Sequence, residues 1–530
     1  MKFSINQFNL RVLFVFTAIL LNSCSKDSDD PTPQETTITV STADFAKTMD
    51  ENPTSGQVIG TVLGSTSEGS VTFSIIEQTP SGAFSIDAAS GELKVADETL
   101  FDFETNPTIT GTVKVANGSI FKNALVTINL DDVNEENIFT GSVRLFTQTE
   151  VETFGSNNYT AITGTLLIGS LDNLNSQITD LSSLNTLKSI GGQLNIIQNE
   201  RLAVLTGLQN IHTVTNDVNI AYNRGIHNLE SLNGLTTLHR QLTITENLLL
   251  ENFNGLQNLI EIDKDLRIWD NPALKNIDAL TNLISVGDKI AISGNDLLQN
   301  INGLQGLTSI EGDLEITSNN AMLNIEGLQN IETINGISVK ISGNDALVNL
   351  NGLNNISTLF SLTIDDNSSL ENVDGLSNLH NLKGLSITNN PLITNIEAVS
   401  NITSFESGVS ISHNESLPNI NGLRNVLSVG GTRLEISYNN SLENLDGLQS
   451  LQNVGGTLYI IKNPLLSNMD SLENLQTVGY KLYIWSNDAL TNLCGLRPLL
   501  LNNGLGDEYQ VFANAFNPTK QDIIDGNCSL

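Results

Sequence analysis

One residue type, asparagine, returns at an almost constant interval through the last two-thirds of the chain. The positions are Asn199, Asn223, Asn247, Asn271, Asn295, Asn319, Asn344, Asn367, Asn390, Asn414, Asn439, Asn463 and Asn487. The first and last are 288 residues apart (487 − 199), so the twelve intervals average 24 residues. A constant period of this size is typical of a solenoid, in which each repeat contacts only its neighbours. The sequence therefore predicts an extended binding surface, not an enclosed catalytic pocket.

Each repeat also contains one short strand of the form Leu-x-Ile, such as Leu242 to Ile244. Alternation along a strand places the leucine and isoleucine in the core and the middle residue on the surface. About thirteen rungs with strands ~4.8 Å apart would form a rod roughly 60 Å long. We expect the recurring asparagines to form a buried ladder of hydrogen bonds at the turns. A second asparagine column, from Asn252 to Asn492, follows five residues after the first.

The full repeat reads Gly-Leu-x-Asn-Leu-x-x-Ile-x-Gly-x-Leu-x-Ile-x-x-Asn, as in residues 447–463. This pattern resembles the receptor L-domain, a relative in style of leucine-rich repeats. The resemblance implies a right-handed β-solenoid over residues 138–498, closed by a C-terminal cap over 499–530. The matching residues are core and turn positions, so the resemblance implies no particular ligand.

The N-terminus has the features of an export signal. Lys2 and Arg11 precede an apolar run, Val12 to Leu21, that is too short to span a bilayer as a mature helix. The run ends in Leu-Asn-Ser-Cys24, which resembles the lipobox of bacterial lipoproteins, and the acidic residues that follow resemble the surface-export signal of Bacteroidota lipoproteins. The resemblance implies a signal peptide (1–23), lipidation of Cys24, a tether (24–37) and an outer-membrane protein exposed at the cell surface. An ordinary secretory signal with an incidental cysteine is the alternative.

Residues 38–137 alternate short β-rich runs with turn signals, as in a β-sandwich. Five motifs in this segment, in order, resemble one cadherin repeat. They are Glu51-Asn52-Pro53, Ile59 to Val62, Phe84 to Leu93, Phe101 to Glu104 and Asp132 to Glu135. The resemblance implies calcium ligands at Glu51, Asp102, Glu104, Asp132 and Asn134, with Glu135 in the place of a usual aspartate. The second aspartate motif is absent and no second repeat follows, so the alternative is a solvated acidic end.

Charge and cysteine content limit the classes of partner. Acids outnumber bases 58 to 24, which gives a formal net charge of −34. Such a field repels phosphate backbones and anionic lipid, so we expect no nucleic-acid partner and membrane contact only through the anchor. With Cys24 lipidated, Cys494 and Cys528 remain, and in an exported chain they are expected to form one disulfide.

Aromatic residues concentrate in the C-terminal rungs and mark the candidate ligand surface. Period-two spacing places Tyr459, Ile461, Tyr483 and Trp485 on one outer face, with Tyr438 one rung earlier. Amphipathic rings of this kind suit a sugar or a protein partner. The alternative is that the final segment covers the cluster with Tyr509, Phe512 and Phe516.

These features favour a non-enzymatic surface lipoprotein that acts in adhesion or ligand binding, and the resemblance to a cadherin repeat implies dependence on calcium. The ligand would be a surface protein or a polysaccharide. A glycan-capturing accessory protein of a polysaccharide uptake system is the alternative. Catalysis is not expected, because the outward carboxylates Glu315, Asp365 and Glu435 fall on three separate rungs.

Overall fold

A computed structural model describes residues 37–133, 137–172 and 174–530. The chain forms two compact units, Met1–Asn134 and Glu135–Leu530, and both are mainly β. The predicted signal peptide, Cys24 and most of the tether lie outside the described residues, as do Asn134 and Glu135. No described helix is both long enough and apolar enough to cross a membrane.

The described part of the N-terminal unit, residues 37–133, has nine strands and one short 3-10 helix, Glu98–Leu100. A four-stranded sheet has the order Phe45–Asp50, Ile120–Asp131, Thr108–Asn117, Thr72–Thr79, and a three-stranded sheet has the order Val58–Thr61, Glu92–Val95, Phe84–Ile86. Val40–Thr42 pairs with Gly64–Thr66. Along Ile120–Asp131 the buried residues Ala124, Val126, Ile128 and Leu130 alternate with more exposed ones, as expected for a strand with one face in the core. Residues from both larger sheets belong to one apolar core.

The second unit is built on one parallel sheet of sixteen strands, which is consistent with a solenoid. In spatial and chain order these are Val143–Leu145, Leu166–Gly169, Leu194–Ile197, Val218–Ala221, Leu242–Thr245, Leu266–Trp269, Ile290–Ser293, Leu314–Thr317, Val339–Ser342, Thr358–Asp365, Asn381–Thr388, Val409–Ser412, Arg433–Ser437, Thr457–Ile461, Leu482–Trp485 and Tyr509–Phe512. In most of these strands a leucine, valine or isoleucine and an isoleucine two residues later fill the core, while the residue between them lies on the outer side of the sheet.

Two-residue strands form further short parallel sheets beside the long one. They are Ile138–Phe139, Ala161–Ile162, Ser189–Ile190 and Thr213–Val214; Thr237–Leu238, Glu261–Ile262 and Ser285–Val286; Ser309–Ile310 and Thr333–Ile334; and Ser404–Phe405, Ser428–Val429, Asn453–Val454 and Thr477–Val478. The rungs also contain 3-10 helices at Ser182–Leu184, Glu230–Leu232, Asp278–Leu280, Asn302–Leu304, Glu326–Leu328, Asn351–Leu353, Asp374–Leu376, Glu397–Val399, Asn421–Leu423, Asp446–Leu448, Asp470–Leu472 and Cys494–Leu496. The α-helices are Gln148–Gly155, Arg497–Leu501 and Lys520–Asp525.

Sixteen strands are three more than the thirteen rungs indicated by the asparagine spacing. The additional strands are Val143–Leu145, Leu166–Gly169 and Tyr509–Phe512. Successive strands here begin 23 (166 − 143), 28 (194 − 166) and 27 (509 − 482) residues apart, so they depart from the period of 24. The segment 499–530, predicted as a cap, therefore also contributes the last strand of the sheet.

All thirteen recurring asparagines are fully buried and form a continuous ladder. Asn319 shows the pattern: its Nδ2 donates to the carbonyl oxygen of Ile292 at 2.9 Å and to Asn344 Oδ1 at 3.3 Å, while its Oδ1 accepts from the backbone N–H of Asn295 at 3.2 Å. The residue before each ladder asparagine from Asn199 onward has a positive φ, for example 55° at Ser318 and 66° at Gly343. The ladder thus fixes a backbone turn that most residues adopt with difficulty.

A second and a third column stabilise the same rungs. In the second column, Asn324 Oδ1 accepts from the backbone N–H of Glu326 at 3.2 Å and so caps the 3-10 helix that begins there. In the third column, Asn330 Nδ2 donates to the carbonyl oxygen of Gln305 in the previous rung at 2.8 Å. At the C-terminal end, a disulfide joins Cys494 to Cys528.

Candidate functional site

The outer face of the long sheet presents two columns of stacked rings near its C-terminal end. Tyr459 and Tyr483 are paired in register, with ring centroids 5.3 Å apart and planes within 1° of parallel. Trp485 is in register with Phe512 of the last strand, with centroids 5.7 Å apart and planes within 4°. Tyr459, Tyr483 and Trp485 are half-buried, and Phe512 is 45% exposed. We call these four residues the ring platform.

The last strand of the sheet, Tyr509–Phe512, extends the outer face and does not cover the ring platform. Phe512 adds one more ring to the column of Trp485, and no further described strand follows it. Tyr509 points the other way: it packs against the core, and its hydroxyl donates to the carbonyl oxygen of Pro518 at 2.8 Å. Burial raises the pKa of the Tyr509 hydroxyl above its usual value. Phe516 also packs against the core.

The two other predicted ligand residues, Ile461 and Tyr438, lie beside the ring platform and are not part of it. Ile461 is in register with Trp485 but is only 8% exposed, so it supports the indole more than it contacts solvent. Tyr438 follows its strand, in the turn with positive φ, and stacks on His413 with centroids 4.2 Å apart. The structure therefore places Tyr438 beside the ring platform in a separate column.

Lys462 connects these two columns. Its Nζ lies 4.7 Å from the ring centroid of Tyr438 and 5.5 Å from that of Trp485. Such cation–π contacts contribute about 0.5–1 kcal/mol each at exposed sites. The ammonium group is thereby held at the edge of the ring platform.

The other basic side chains around the platform are already neutralised. Arg433 pairs with Glu435 at 3.1 Å, and Lys481 pairs with Glu508 at 2.9 Å. Hydrogen bonds and charge attraction within the second pair raise the pKa of Lys481 and lower the pKa of Glu508. Within the described part of the chain, Lys462 makes no ion pair. It is therefore the charge at this site that a ligand can still reach.

The outward carboxylates elsewhere on the sheet are engaged by protein groups. Glu315 pairs with Lys289 at 2.7 Å, Glu435 also accepts from the Ser437 hydroxyl at 2.8 Å, and Asp365 accepts from Asn389 Nδ2 at 2.9 Å. Each therefore has a structural partner on the sheet surface. General acid–base catalysis instead requires a carboxyl group placed against a substrate in a shaped site.

In the N-terminal unit, three of the five predicted metal ligands lie together. Ligand atoms of Glu51, Glu104 and Asp132 are all within 4.8 Å of one another. Glu51 is 4% exposed, and its two carboxylate oxygens accept from the backbone N–H groups of Phe103 at 2.6 Å and Val133 at 2.7 Å. These bonds fix the Glu51 carboxylate between the two chain segments that provide Glu104 and Asp132.

Of the remaining two predicted ligands, the one that the structure describes, Asp102, is not part of this group. Asp102 is adjacent in sequence, but its Oδ1 accepts from the backbone N–H of Thr105 at 2.8 Å and closes a local turn. Asn134 lies outside the described residues. The donor set that the structure brings together consists of carboxylate oxygens only, which is the ligand chemistry that a hard cation such as Ca²⁺ prefers.

Three features of the site are absent from the sequence prediction: the ring of His413, the Lys462 bridge and the place of Phe512 in the platform. The place of Phe512 depends on the register of a strand that begins 27 residues (509 − 482) after the previous one. His413 and Lys462 lie in turns with positive φ that follow their strands. Lys462 immediately precedes the ladder residue Asn463. This position in the repeat is the sequence feature that indicates its place in the turn.

Comparison with known proteins adds little to this geometry. No protein-family model matches the chain, and no curated protein matches it. Among solved structures, the chain is similar to the human desmocollin-1 ectodomain, at 20% sequence identity and a TM-score of 0.17. The match covers 20% of this chain and 24% of that one, so this chain spans about a quarter of the length of the structure it matches. A likeness with this TM-score establishes neither fold nor function.

Proposed function

We propose that this protein is a non-enzymatic, lipid-anchored protein of the outer-membrane surface that acts in adhesion or ligand binding through the outer face of its solenoid. The observation that carries the proposal is the ring platform, because stacked aromatic rings on the outer face of the long sheet occur, among the described strands, near its C-terminal end. Tyrosine and tryptophan contribute disproportionately to binding energy at interfaces. The buried ladder and the leucine core provide a rigid support that holds these rings in place.

The test is binding of the full chain to panels of matrix proteins, saccharides and itself, with a Trp485→Ala/Phe512→Ala double variant beside the unaltered chain. We expect at least one ligand whose affinity falls by tenfold or more in the variant, since a hot-spot residue contributes about 2 kcal/mol or more. Phe360→Ala is a suitable control, because Phe360 is 45% exposed on another part of the chain. Ligand binding that is equal in all three proteins would reject the platform as the site.

We propose further that the N-terminal unit is a cadherin-like β-sandwich that binds calcium. Glu51, Glu104 and Asp132 would hold the ion, and the ion would offset the repulsion among these three carboxylates. Their grouping and the fixed orientation of Glu51 support this. A bound ion would make adhesion depend on calcium, as the resemblance to cadherin repeats implies.

Calcium titration with a thermal unfolding readout tests the metal proposal separately. A ligand that binds only the folded state raises stability by about 2.7 kcal/mol at one hundred times its dissociation constant. We expect calcium to raise the unfolding temperature of the N-terminal unit and a Glu104→Gln/Asp132→Asn variant to abolish the effect. Asp44→Asn is the control, since Asp44 accepts from the backbone N–H of Leu125 and is not in the acidic group. An unchanged unfolding temperature in the unaltered chain would refute calcium binding.

The second candidate function is capture of a glycan for a polysaccharide uptake system. A shallow groove of about 250 Å³ on the outer sheet face supports it. Side-chain hydroxyls of Ser361, Ser386, Ser407 and Thr432 line the groove, and within the described residues none of the four is hydrogen bonded to another protein group. Saccharide binding without self-association or binding to matrix proteins would favour this function over adhesion.

A further inference from the structure

The chemistry around Lys462 specifies more about the ligand than the ring platform does alone. Most of the outward basic residues of the solenoid are matched by a carboxylate: Arg240 with Asp217, Lys289 with Glu315, Lys383 with Glu406, Arg433 with Glu435 and Lys481 with Glu508. Lys462 is exposed and stands between the rings of Tyr438 and Trp485. Lys462 is thus an ammonium group that lies beside two aromatic rings of the solenoid and that no carboxylate of the described residues neutralises.

We infer that the ring platform and Lys462 bind a saccharide that carries a single carboxylate where it contacts the protein. This inference rests on the proposed binding function of the platform and names the ligand class. The carboxylate would accept hydrogen bonds from Lys462 Nζ, and the apolar face of the sugar ring would pack on the exposed ring of Phe512, which no further described strand covers. Bonds between charged groups are stronger than neutral ones, so the lysine would supply selectivity for the acidic sugar.

The polar groups around the platform favour a saccharide over an apolar ligand. Within the described residues, the hydroxyl groups of Tyr438 and Tyr459 form no hydrogen bond, although both side chains are half-buried. Amphipathic rings of this kind present an apolar body and a polar tip to the same ligand. A sugar ring offers both complements, namely an apolar face of C–H groups and a rim of hydroxyl groups.

The net charge of the chain decides between one carboxylate and many. At −34, the protein repels a polyanion over distances of the order of the Debye length, about 8 Å at physiological ionic strength. One lysine cannot offset that repulsion for every charge along an acidic polymer. It can compensate one carboxylate at close range, so a saccharide with a single acidic residue at the contact fits better than a polyuronate.

The experiment measures binding of the full chain to 3′-sialyllactose, to lactose as its neutral counterpart and to polygalacturonate as a polyanion. We expect 3′-sialyllactose to bind at least about fivefold more tightly than lactose, from one charge-assisted hydrogen bond. Lys462→Gln should remove this preference, so that 3′-sialyllactose and lactose bind the variant with equal affinity. Lys340→Gln is the matched control, since Lys340 is another exposed lysine of the sheet without an ion pair among the described residues. Thermal unfolding of both variants verifies that they are folded.

The outcomes separate the ligand class from the function of the platform. Equal binding of lactose and 3′-sialyllactose, tighter binding of polygalacturonate, or full binding by Lys462→Gln would each overturn the inference. If no saccharide binds but a protein ligand is lost in Trp485→Ala/Phe512→Ala, the inference fails and the proposed function stands. If neither saccharide nor protein binding responds to that double variant, both fail.

Discussion

Replacing Asn319 with alanine removes one member of the buried ladder and should destabilise the solenoid far more than loss of a surface asparagine. The change takes away the acceptor of the Asn295 backbone N–H, 3.2 Å away, and the donor to the Ile292 carbonyl oxygen, 2.9 Å away. An orphaned buried N–H costs about 1–3 kcal/mol, and each net hydrogen bond lost costs about 1 kcal/mol. We therefore expect a loss of about 3–5 kcal/mol in the local free energy of unfolding.

Two comparisons make this prediction specific to hydrogen bonding. Asn324→Ala removes only the cap on the next 3-10 helix and should cost about 1 kcal/mol. Asn319→Asp keeps the size of the side chain but turns an acceptor toward the carbonyl oxygens of Ile292 and Thr317, which now accept from Nδ2. It also buries a charge, so it should be more damaging than alanine.

The appropriate assay is native-state hydrogen exchange with residue resolution, because a repeat array does not unfold as one cooperative unit. Protection at the backbone N–H of Asn295 and in the rungs on either side of residue 319 reports the local free energy. The reasoning would be refuted if Asn319→Ala cost less than Asn324→Ala. It would equally be refuted if Asn319→Asp were tolerated better than Asn319→Ala.

Three further sets of substitutions test the disulfide, the turns with positive φ and the carboxylate of Glu150. The disulfide between Cys494 and Cys528 spans 34 residues, so replacing both cysteines with serine should cost about 3–4 kcal/mol by loop entropy, with lost exchange protection confined to the C-terminal rungs. Gly343→Ala should destabilise and Ser318→Gly stabilise the local structure, each by roughly 0.5–1 kcal/mol, because both positions have positive φ; native-state hydrogen exchange in the adjacent rungs measures this. Backbone N–H bonds hold the pKa of Glu150 below its ordinary 4.5, so the stability it gives helix Gln148–Gly155 is complete above pH 4.5 and is lost as pH falls through the lowered value. Glu150→Gln should remove that dependence in exchange measured between about pH 6 and pH 3.

The repeat could be predicted from the sequence because the buried ladder position of each rung requires an asparagine. Asn319 makes several short-range bonds that other side chains cannot reproduce, so its type recurs in every rung and defines the period. The first two strands of the sheet are not followed by a ladder asparagine. Tyr509–Phe512 is followed by Asn514, which does continue the ladder from Asn487 at 2.9 Å, but 27 residues later.

The sequence predicts where the ring platform lies but not all of the side-chain contacts within it. Period-two alternation places Tyr459 and Tyr483 on one face, and parallel register makes them neighbours. It cannot indicate that Ile461 is buried beside Trp485, because that depends on how much of its surface the adjacent side chains cover. Nor does it reveal Lys462, whose ammonium reaches the rings from a turn outside the alternating strand.

The direction of the ladder has a consequence for how such a protein can vary in length. Every amide donates to the asparagine that follows, from Asn199 to Asn514, and only the last is closed by a different partner, Asn517. An internal rung therefore has the same donor behind it and the same acceptor ahead of it as any other. Excising residues 296–319 would join Asn295 to the next unit with every amide still matched. Recombination between rungs would thus lengthen or shorten the long sheet while leaving the strands at both of its ends unchanged.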